Sequence, residues 1–364
     1  MKIHLNNEYF AKVKLYHESC IDCGRCLKCC PIIDKDGRKP KTFLENLIMP
    51  SDVEFMDSIS CLRCGYCKSV CPMSVDIGEL LYELKMVNVK FSRDKKYRRK
   101  YRVIESHQKN LFRSMFINST ENKRVFFPGC SLSASNPSLV KELSRILEKD
   151  DIGLFSGCCA SPSSISGDID LFNKNRDKIK KEFEDNKVEE VIVACSNCYM
   201  ALQNIDNIKV SSLYKVLEDG DLLDVSYRKP DIDSEFIIHD PCPTRFEEDI
   251  QSSARYLLEK SGIKFNEFKY NRSSTSCCGE GSMVSVLDTD MSKHQLSRRV
   301  SEAKEVKIIS YCQTCVNNFK SQNNDSSHIL ELLINSGNRV VKEKSTLGKW
   351  SNRYRISKYV NELK

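Results

Sequence analysis

Cysteine is the residue whose number and spacing could do chemistry in this chain, because thiolates bind soft metals and support redox reactions. Eighteen of the nineteen cysteines among 364 residues fall into four sets, and Cys29 is left over. Two sets, within residues 20–30 and 61–71, share the spacing C-x2-C-x2-C-x3-C-P. The other two sets lie after residue 120, and each contains five cysteines.

The spacing of the first two sets is typical of two iron–sulfur cubanes. Three thiolates two residues apart wrap one cluster, and the fourth, before the proline, ligates the other cluster. The predicted ligands of one [4Fe–4S] cubane are Cys20, Cys23, Cys26 and Cys71, and those of the other are Cys61, Cys64, Cys67 and Cys30. A zinc site needs only four ligands, so zinc binding does not explain two matched four-cysteine runs that each end before a proline. Cys29 is predicted to be a packed or free thiol.

The two five-cysteine sets form an internal repeat. The first set contains Cys130, Cys158, Cys159, Cys195 and Cys198, and the second contains Cys242, Cys277, Cys278, Cys312 and Cys315. The copies are offset by 112 residues at the first cysteine and by 117 at the last. Five thiolates exceed the need of a cubane, and adjacent thiols point in different directions. Each set therefore favours a larger or opened metal core.

The elements that must position these cysteines follow from the hydrophobic pattern. Each opening cysteine follows a strand-like run and a proline, in VFFPGC and FIIHDPC, and each closing pair follows VIVA or KIIS. Amphipathic helical segments lie between them, so the pattern predicts α/β units with mostly parallel sheets. The part before residue 92 lacks convincing strands. It predicts a helix capped by Ser51 and Glu54, and a longer helix from Pro72 to Val89.

The cysteine patterns resemble those of known families. Residues 15–92 resemble the α-helical ferredoxin domain of succinate dehydrogenase iron–sulfur subunits and heterodisulfide reductases. Residues 123–335 resemble the cysteine-rich CCG domain family. The combination resembles the catalytic subunit of heterodisulfide reductase, and also the iron–sulfur subunits of glycolate oxidase and anaerobic glycerol-3-phosphate dehydrogenase.

This resemblance implies a fold of class α + α/β, with a helical dicluster ferredoxin domain (1–92) followed by two pseudo-repeated α/β domains. The expected CCG domains span 123–229 and 230–335, with a basic linker (93–122) before them and a C-terminal tail (336–364) after them. It also implies that each complete five-cysteine set holds a further [4Fe–4S] cluster, of the noncubane type. In the heterodisulfide reductase family, such a pair of clusters cleaves a disulfide.

The sequence departs from the family pattern at two places. Ala160 follows the first cysteine pair where the family has glycine, and Gly157 is expected to supply the backbone freedom instead. Pro243 stands where relatives often have histidine, which puts proton delivery in doubt. His239 is the nearest alternative, either as a general acid or as a structural histidine at a strand end.

The function that the resemblance implies is an oxidoreductase that passes electrons from the cubanes to the five-cysteine clusters. One hypothesis is an electron-transfer subunit of a flavin-dependent dehydrogenase complex, with a flavoprotein or other redox partner and a membrane quinone-reducing partner. The alternative is a heterodisulfide reductase-like catalytic subunit that reduces a disulfide. The chain contains no GxGxxG fingerprint, so no flavin or nicotinamide site of its own is predicted.

Charge and hydropathy limit which binding partners and which cellular location the sequence fits. The net charge of +7 arises from the segment Lys90–Arg113, which alone carries +8. This segment favours a solvated linker helix over a docking surface, and the near-neutral remainder argues against nucleic-acid binding. The sequence contains no apolar run long enough for a transmembrane span and no export signal. We therefore expect an anaerobic, cytoplasmic protein, or one peripheral to the inner face of the membrane.

Overall fold

The structure is a computed structural model that describes residues 5–34, 37–91, 95–108, 116–117, 122–203, 205–223, 235–334 and 345–363. It contains a helical N-terminal region and two α/β units. The predicted fold class is therefore confirmed. Among the described helices, none is long and apolar enough to cross a membrane.

The N-terminal region is helical wherever it is described. Its helices are α1 (Asn7–Ser19), α2 (Pro40–Asn46), α3 (Asp52–Ser60), α4 (Tyr66–Ser69) and α5 (Ile77–Phe91). Helix α3 begins at the predicted capping box, in which the Ser51 amide donates to Glu54 Oε2 (2.9 Å). Helix α5 begins at Ile77, five residues after the predicted start at Pro72, because a turn intervenes in which the Ser74 amide donates to the carbonyl oxygen of Cys71 (3.1 Å). Leu80, Leu81 and Leu84 of this helix are buried.

The first α/β unit has the strand order β1-β3-β2-β4-β5, in which only β1 is antiparallel. Its strands are β1 (Phe116–Ile117), β2 (Arg124–Phe127), β3 (Ile152–Ser156), β4 (Glu190–Val193) and β5 (Lys209–Ser212). Its helices are α7 (Cys130–Ser135), α8 (Pro137–Glu148), α9 (Ser161–Ser166), α10 (Ile169–Asp185), α11 (Ser196–Leu202) and α12 (Leu213–Asp219).

The second α/β unit repeats this topology with the parallel order β7-β6-β8-β9. Its strands are β6 (Phe236–His239), β7 (Asn266–Glu267), β8 (Lys307–Ser310) and β9 (Ser326–His328). Its helices are α13 (Glu248–Lys260), α14 (Val284–Leu287), α15 (Thr289–Glu302), α16 (Gln313–Lys320) and α17 (Ile329–Leu333). The continuous apolar strands are buried on both faces, as parallel strands covered by helices require.

One hydrophobic core joins the two units. It includes Phe126 and Leu213 from the first unit and Ile238 and Ile309 from the second. Tyr214 strengthens the join, because its hydroxyl donates to the carbonyl oxygen of Tyr311 (3.0 Å). The two five-cysteine sets are therefore held in one rigid setting, which neither unit could supply alone.

The basic linker contains a helix, α6 (Lys95–Gln108), which packs against the second unit. Ile104 is buried, and the Lys100 ammonium donates to the carbonyl oxygen of Leu287 (2.6 Å). Arg98 and Arg99 are exposed. This helix is thus a packed connector with one charged face, while residues 109–113 of the basic segment lie outside the described residues.

The predicted C-terminal tail contains a packed helix, α18 (Thr346–Glu362). Ile356 and Val360 are fully buried in the common core. Asn352 Nδ2 donates to the carbonyl oxygen of Ala134 (2.7 Å), and Arg353 Nε donates to that of Cys130 (3.0 Å). The last helix therefore supports the loop that carries the first cysteine of the repeat.

We predict that Ile356→Ala destabilises the protein by about 2–5 kcal/mol, because it removes a fully buried branched side chain and leaves a cavity. Leu347→Ala in the same helix is the matched control, since Leu347 is 81% exposed and should cost less than about 0.5 kcal/mol. Thermal unfolding under anaerobic conditions measures both. Equal melting temperatures for the two variants would show that α18 does not contribute to the core.

Candidate iron–sulfur centres

The structure brings Cys71 to the first three cysteines of the chain. Cys20, Cys23, Cys26 and Cys71 line one cavity, together with Val75 and Ile77. Burial, together with the neighbouring cysteines, raises the pKa of the Cys26 thiol to about 12. Burial thus favours the protonated thiol at Cys20 and Cys26, and a cationic iron core would favour the thiolate instead.

The crossed partner, Cys30, lies with the second ferredoxin set. Cys30 is close enough to Cys61 and Cys64 for electrostatic interaction, and Cys67 lies close to all three. Burial raises the pKa of Cys64 to about 12, although the nearby Arg245 guanidinium acts in the opposite direction. These four thiols fit a second cubane for the same reason as the first four.

Backbone and side-chain donors surround the second ferredoxin set. The Gly78 amide donates to Cys67 Sγ (3.3 Å), and the Arg63 amide to Cys61 Sγ (3.4 Å). Lys85 is buried, and its ammonium donates to the carbonyl oxygen of Cys61 (3.0 Å). Burial lowers the pKa of Lys85 to about 8. The Lys85 ammonium and the two amides are thus placed to stabilise negative charge on the sulfurs of Cys61 and Cys67.

Cys29 is apart from both groups. It is 4% exposed, and its thiol shares a hydrogen bond with the Tyr66 hydroxyl. Burial raises its pKa. The leftover cysteine is a packed thiol in this structure.

The five cysteines of the first repeat meet at the carboxyl ends of β2, β3 and β4. Cys130 begins α7, the pair Cys158–Cys159 follows β3, and Cys195 caps α11. Gly129 precedes Cys130 with φ +78°, and a Cβ there would lie 3.0 Å from the Cβ of Cys195. The loops that follow parallel strands lie at the same edge of a sheet, and in this unit those loops carry the five cysteines.

The backbone at the first cysteine pair differs from the prediction. Gly157 is absent from the described residues with positive φ, and Ala160 itself adopts the left-handed conformation (φ +60°). Gly279 occupies the equivalent place in the second copy with φ +93°. The prediction that Gly157 supplies the backbone freedom is therefore wrong, because the turn needs a positive φ after the pair rather than before it.

The second five-cysteine set is more deeply buried than the first. Cys242 Sγ lies 3.8 Å from Cys277 Sγ. Cys278 and Cys312 both lie within hydrogen-bonding reach of Cys315. All but Cys242 are at most 4% exposed. Water cannot solvate these sulfurs, so their charge must be balanced within the protein.

Asp240 clamps the loops of the second set. Both of its carboxylate oxygens accept from the Arg255 guanidinium at 2.9 Å. The carboxylate also accepts from the Tyr311 hydroxyl (2.8 Å) and the Arg272 amide (2.7 Å). Burial alone would raise the pKa of Asp240, but Arg255 holds it below the usual value. One ionised side chain therefore connects the Cys242, Cys277 and Cys312 loops.

The two five-cysteine sets touch each other. The thiols of Cys195 and Cys312 lie close enough for each to shift the pKa of the other. Beside them, the hydroxyls of Ser131 and Thr314 are 3.0 Å apart. The pseudo-repeat thus places its two five-cysteine sets next to each other rather than at opposite ends of the molecule.

The second five-cysteine set also touches the second ferredoxin set. Cys64 lies close to Cys277 and Cys242. Arg245, which is 1% exposed, donates from Nε to the carbonyl oxygen of Cys64 (2.9 Å) and from Nη2 to that of Thr275 (2.6 Å). This guanidinium joins the N-terminal region to the second α/β unit at the cysteines themselves.

Two further ionisable groups adjoin the second set. His239 is fully buried, and burial lowers its pKa well below the usual value. Burial raises the pKa of Glu280 to about 7, while a hydrogen bond from the Ser285 hydroxyl (2.7 Å) counters this effect. Sequence reasoning singled out His239 but missed Glu280, whose only signal was its place two residues after the Cys277–Cys278 pair.

Comparison with known protein families agrees with these centres. The profile of the 4Fe-4S dicluster domain matches residues 19–76, and that of the cysteine-rich CCG domain matches residues 124–203 and 236–320. The chain is therefore an iron–sulfur protein with one 4Fe-4S dicluster domain and two CCG cysteine-rich domains.

Its relatives include one of the subunits of the dihydromethanophenazine:CoB–CoM heterodisulfide reductase. The protein from Methanosarcina barkeri is 26% identical over 216 residues, which cover 53% of this chain and 52% of the relative. That from Methanosarcina acetivorans is 25% identical over 215 residues, with coverage of 53% and 52%. An iron–sulfur protein of Methanocaldococcus jannaschii is 24% identical over 54% of this chain and 41% of its own length. The chain thus spans about half the length of the curated relatives it matches.

Among solved structures, the glutamate racemase of Campylobacter jejuni aligns with 66% of this chain and 99% of its own at 14% identity. The TM-score of 0.29 is too low for an argument about fold or function.

We predict that Cys30→Ser and Cys29→Ser differ sharply although the residues are adjacent. Cys30 lies with Cys61 and Cys64, so its loss should remove or convert one cubane and lower the iron content. Cys29 lies with Tyr66 instead, so its replacement should leave the iron content unchanged. Anaerobic iron analysis with EPR measures both, and equal losses in the two variants would contradict the crossed ligand assignment.

We predict that Asp240→Asn destabilises the second α/β unit by about 1.5–3 kcal/mol, because the buried Arg255 guanidinium would lose one of its two carboxylate partners and keep only Glu267. Iron bound by the second five-cysteine set should fall as its loops loosen. Asp185→Asn, which breaks the exposed pair with Lys181 (2.8 Å), is the control and should cost about 0.5 kcal/mol or less. Anaerobic thermal unfolding with iron analysis would contradict the clamp if both variants behaved alike.

Proposed function

We propose that this chain is an iron–sulfur oxidoreductase component that accepts electrons from a redox partner and reduces a disulfide. The observation that carries the proposal is the contact between two complete five-cysteine sets, at Cys195 and Cys312. The relatives named as heterodisulfide reductase subunits support the same substrate class. They also favour this function over the flavin-dependent dehydrogenase complex that the sequence alone placed first.

The four cysteine sets lie in a series. The first ferredoxin set adjoins the second, since Cys67 borders the cavity of the first. The second adjoins the second five-cysteine set at Cys64 and Cys277, and that set adjoins the first five-cysteine set at Cys312. Two cubanes and two further [4Fe–4S] clusters, which we propose to be noncubane, would supply one-electron transfer along this series.

Both ends of the series include cysteines that are not fully buried. Cys23 is exposed at one end, and Ile21 (61% exposed) and Met73 (46% exposed) give the surface around it an apolar character. Cys130 and Cys158 are half-buried at the other end. We therefore assign the Cys23 end to the redox partner and the Cys130 end to the substrate.

The reaction needs two electrons and two protons for each disulfide, which becomes two thiols. Because a one-electron donor supplies the electrons singly, two adjacent sites are needed to hold them until the bond breaks. The Cys195–Cys312 contact places such sites together. Four cysteines of the second set are at most 4% exposed, so water has little access to them.

An anaerobic assay with reduced viologen and a panel of small disulfides tests this activity. We expect viologen oxidation to depend on the disulfide, with two viologen cations oxidised per disulfide reduced. Cys195→Ser should abolish turnover, while Cys29→Ser should retain it. Absence of turnover with every disulfide, in protein that carries all of its iron, would contradict the proposal.

The order of the series predicts an asymmetry between the two five-cysteine sets. Cys242→Ser should prevent a protein donor from reducing the first set, because the second set lies between that set and the cubanes. Cys158→Ser should leave the second set reducible. Freeze-quench EPR, after each variant is mixed with a reduced ferredoxin, shows which of the two five-cysteine sets becomes reduced. Rapid reduction of the first set in Cys242→Ser would overturn the order.

A second candidate is electron transfer within a flavoprotein dehydrogenase complex, in which the chain would hand electrons on without reducing a disulfide. The exposed apolar surface beside Cys23 favours a stable redox partner. Affinity purification from the native organism tests this function. Recovery of a flavoprotein together with lack of disulfide turnover would favour it over the first candidate.

A further inference from the structure

His239 is a polar side chain enclosed by apolar rings. It is the last residue of β6 and is 0% exposed. Phe268 and Phe319 meet it edge to face, with ring centroids at 6.3 and 5.0 Å. Burying an imidazole among apolar rings costs free energy unless both of its nitrogens have hydrogen-bond partners.

Arg299 fixes the tautomer of this imidazole. Its Nε–H donates to His239 Nδ1 at 3.3 Å, so Nδ1 carries no hydrogen and the neutral ring must carry it on Nε2. Arg299 is itself fully buried and cannot turn away. Glu302 (2.6 Å) and the carbonyl oxygen of Tyr270 (3.0 Å) hold its other nitrogens, and its guanidinium lies 3.6 Å above the Phe268 ring.

The Nε2–H of His239 has no hydrogen-bond partner among the described residues. A ring nitrogen of His239 and the sulfurs of Cys278 and Cys315 all lie within 4.8 Å of one another. Because Nδ1 is engaged by Arg299, Nε2 is the nitrogen left for these sulfurs. A buried donor without an acceptor is destabilising, so an acceptor is expected where the sulfurs converge.

We propose that the Nε2–H of His239 donates a hydrogen bond to a sulfur of the iron–sulfur centre in the second five-cysteine set. This inference rests on the proposed function, in that it needs a cluster at that set. It makes His239 a positioning residue rather than an iron ligand, since a ligating Nε2 would have to give up the hydrogen that the Arg299 contact places there. Hydrogen bonds to cluster sulfurs are among the factors that set the potential, and they favour the more negative, reduced state.

The two sets differ at this position. The last residue of β2 is Phe127, which like His239 stands three residues before the opening cysteine of its set. Phenylalanine donates no hydrogen bond. The donor therefore belongs to the second set, which lies between the cubanes and the first set, and not to the first.

Pulsed EPR of the anaerobic protein tests the hydrogen bond directly. The second-set signal is identified by its loss in Cys242→Ser. In protein containing 15N-histidine, this signal should show a weak 15N coupling and a proton coupling that disappears in D2O. His239→Phe copies the residue of the first set and should lose both couplings, with a lower midpoint potential. His239→Gln should regain the exchangeable proton without the histidine nitrogen.

His328 provides the matched control, because it is a second buried histidine of the same unit and lies outside the Cys278–Cys315 group. His328→Asn keeps a side chain suited to capping α17 and should leave the couplings and the potential unchanged. A wild-type second-set signal without the histidine coupling would overturn the inference whether or not the variants fold. So would the strong nitrogen coupling of a directly ligated imidazole. Absence of any signal that Cys242→Ser removes would instead overturn the assignment of a cluster to this set.

Discussion

A thiolate buried away from water needs a positive partner, and the rest of this structure depends on that constraint. Four cysteines of the second five-cysteine set are almost completely buried, and burial also raises the pKa of ferredoxin-type cysteines such as Cys26 and Cys64. The few cations near them, such as Lys85 and Arg245, bind backbone carbonyls rather than sulfurs. A metal core at the cysteine sets, as proposed above, would supply the positive partner that ionised thiols need there.

Topology turns this local constraint into a path. Parallel strands end at one edge of each sheet, so each α/β unit gathers five thiols at one place. The shared core turns these edges toward each other at Cys195 and Cys312, and Arg245 fastens the second unit to the Cys64 loop. Electron transfer needs short distances between centres. The same packing that stabilises the chain provides them, so stability and function are coupled at these interfaces.

Sequence spacing predicted the local part of this arrangement. The C-x2-C-x2-C-x3-C-P runs indicated the crossing of Cys30 and Cys71, and the structure places both thiols accordingly. The strand-like runs before the repeat cysteines correspond to β2, β4, β6 and β8. Each of these features depends on residues that are close together in the sequence, so residue types and their spacing are enough to predict it. The ligand roles themselves, and the domain boundaries, stay predictions.

Contacts between distant segments could not be predicted in this way. Arg245 and Cys64 are 181 residues apart, and no periodicity indicates that a guanidinium after Cys242 reaches a carbonyl in the ferredoxin region. Helix α18 lies in the segment predicted to be a C-terminal tail, yet Ile356 is fully buried. The left-handed backbone at Ala160 was missed since alanine rarely adopts it.

Mössbauer spectroscopy of 57Fe-enriched protein, prepared anaerobically and combined with iron and sulfide analysis, tests the central claim most directly. Four metal centres in one chain predict about 16 iron atoms per molecule, half of them in cubane environments and half in two centres with a distinct signature. A chain that binds about eight iron atoms, all in cubanes, would contradict the account. The ten cysteines of the repeat would then hold no metal centre.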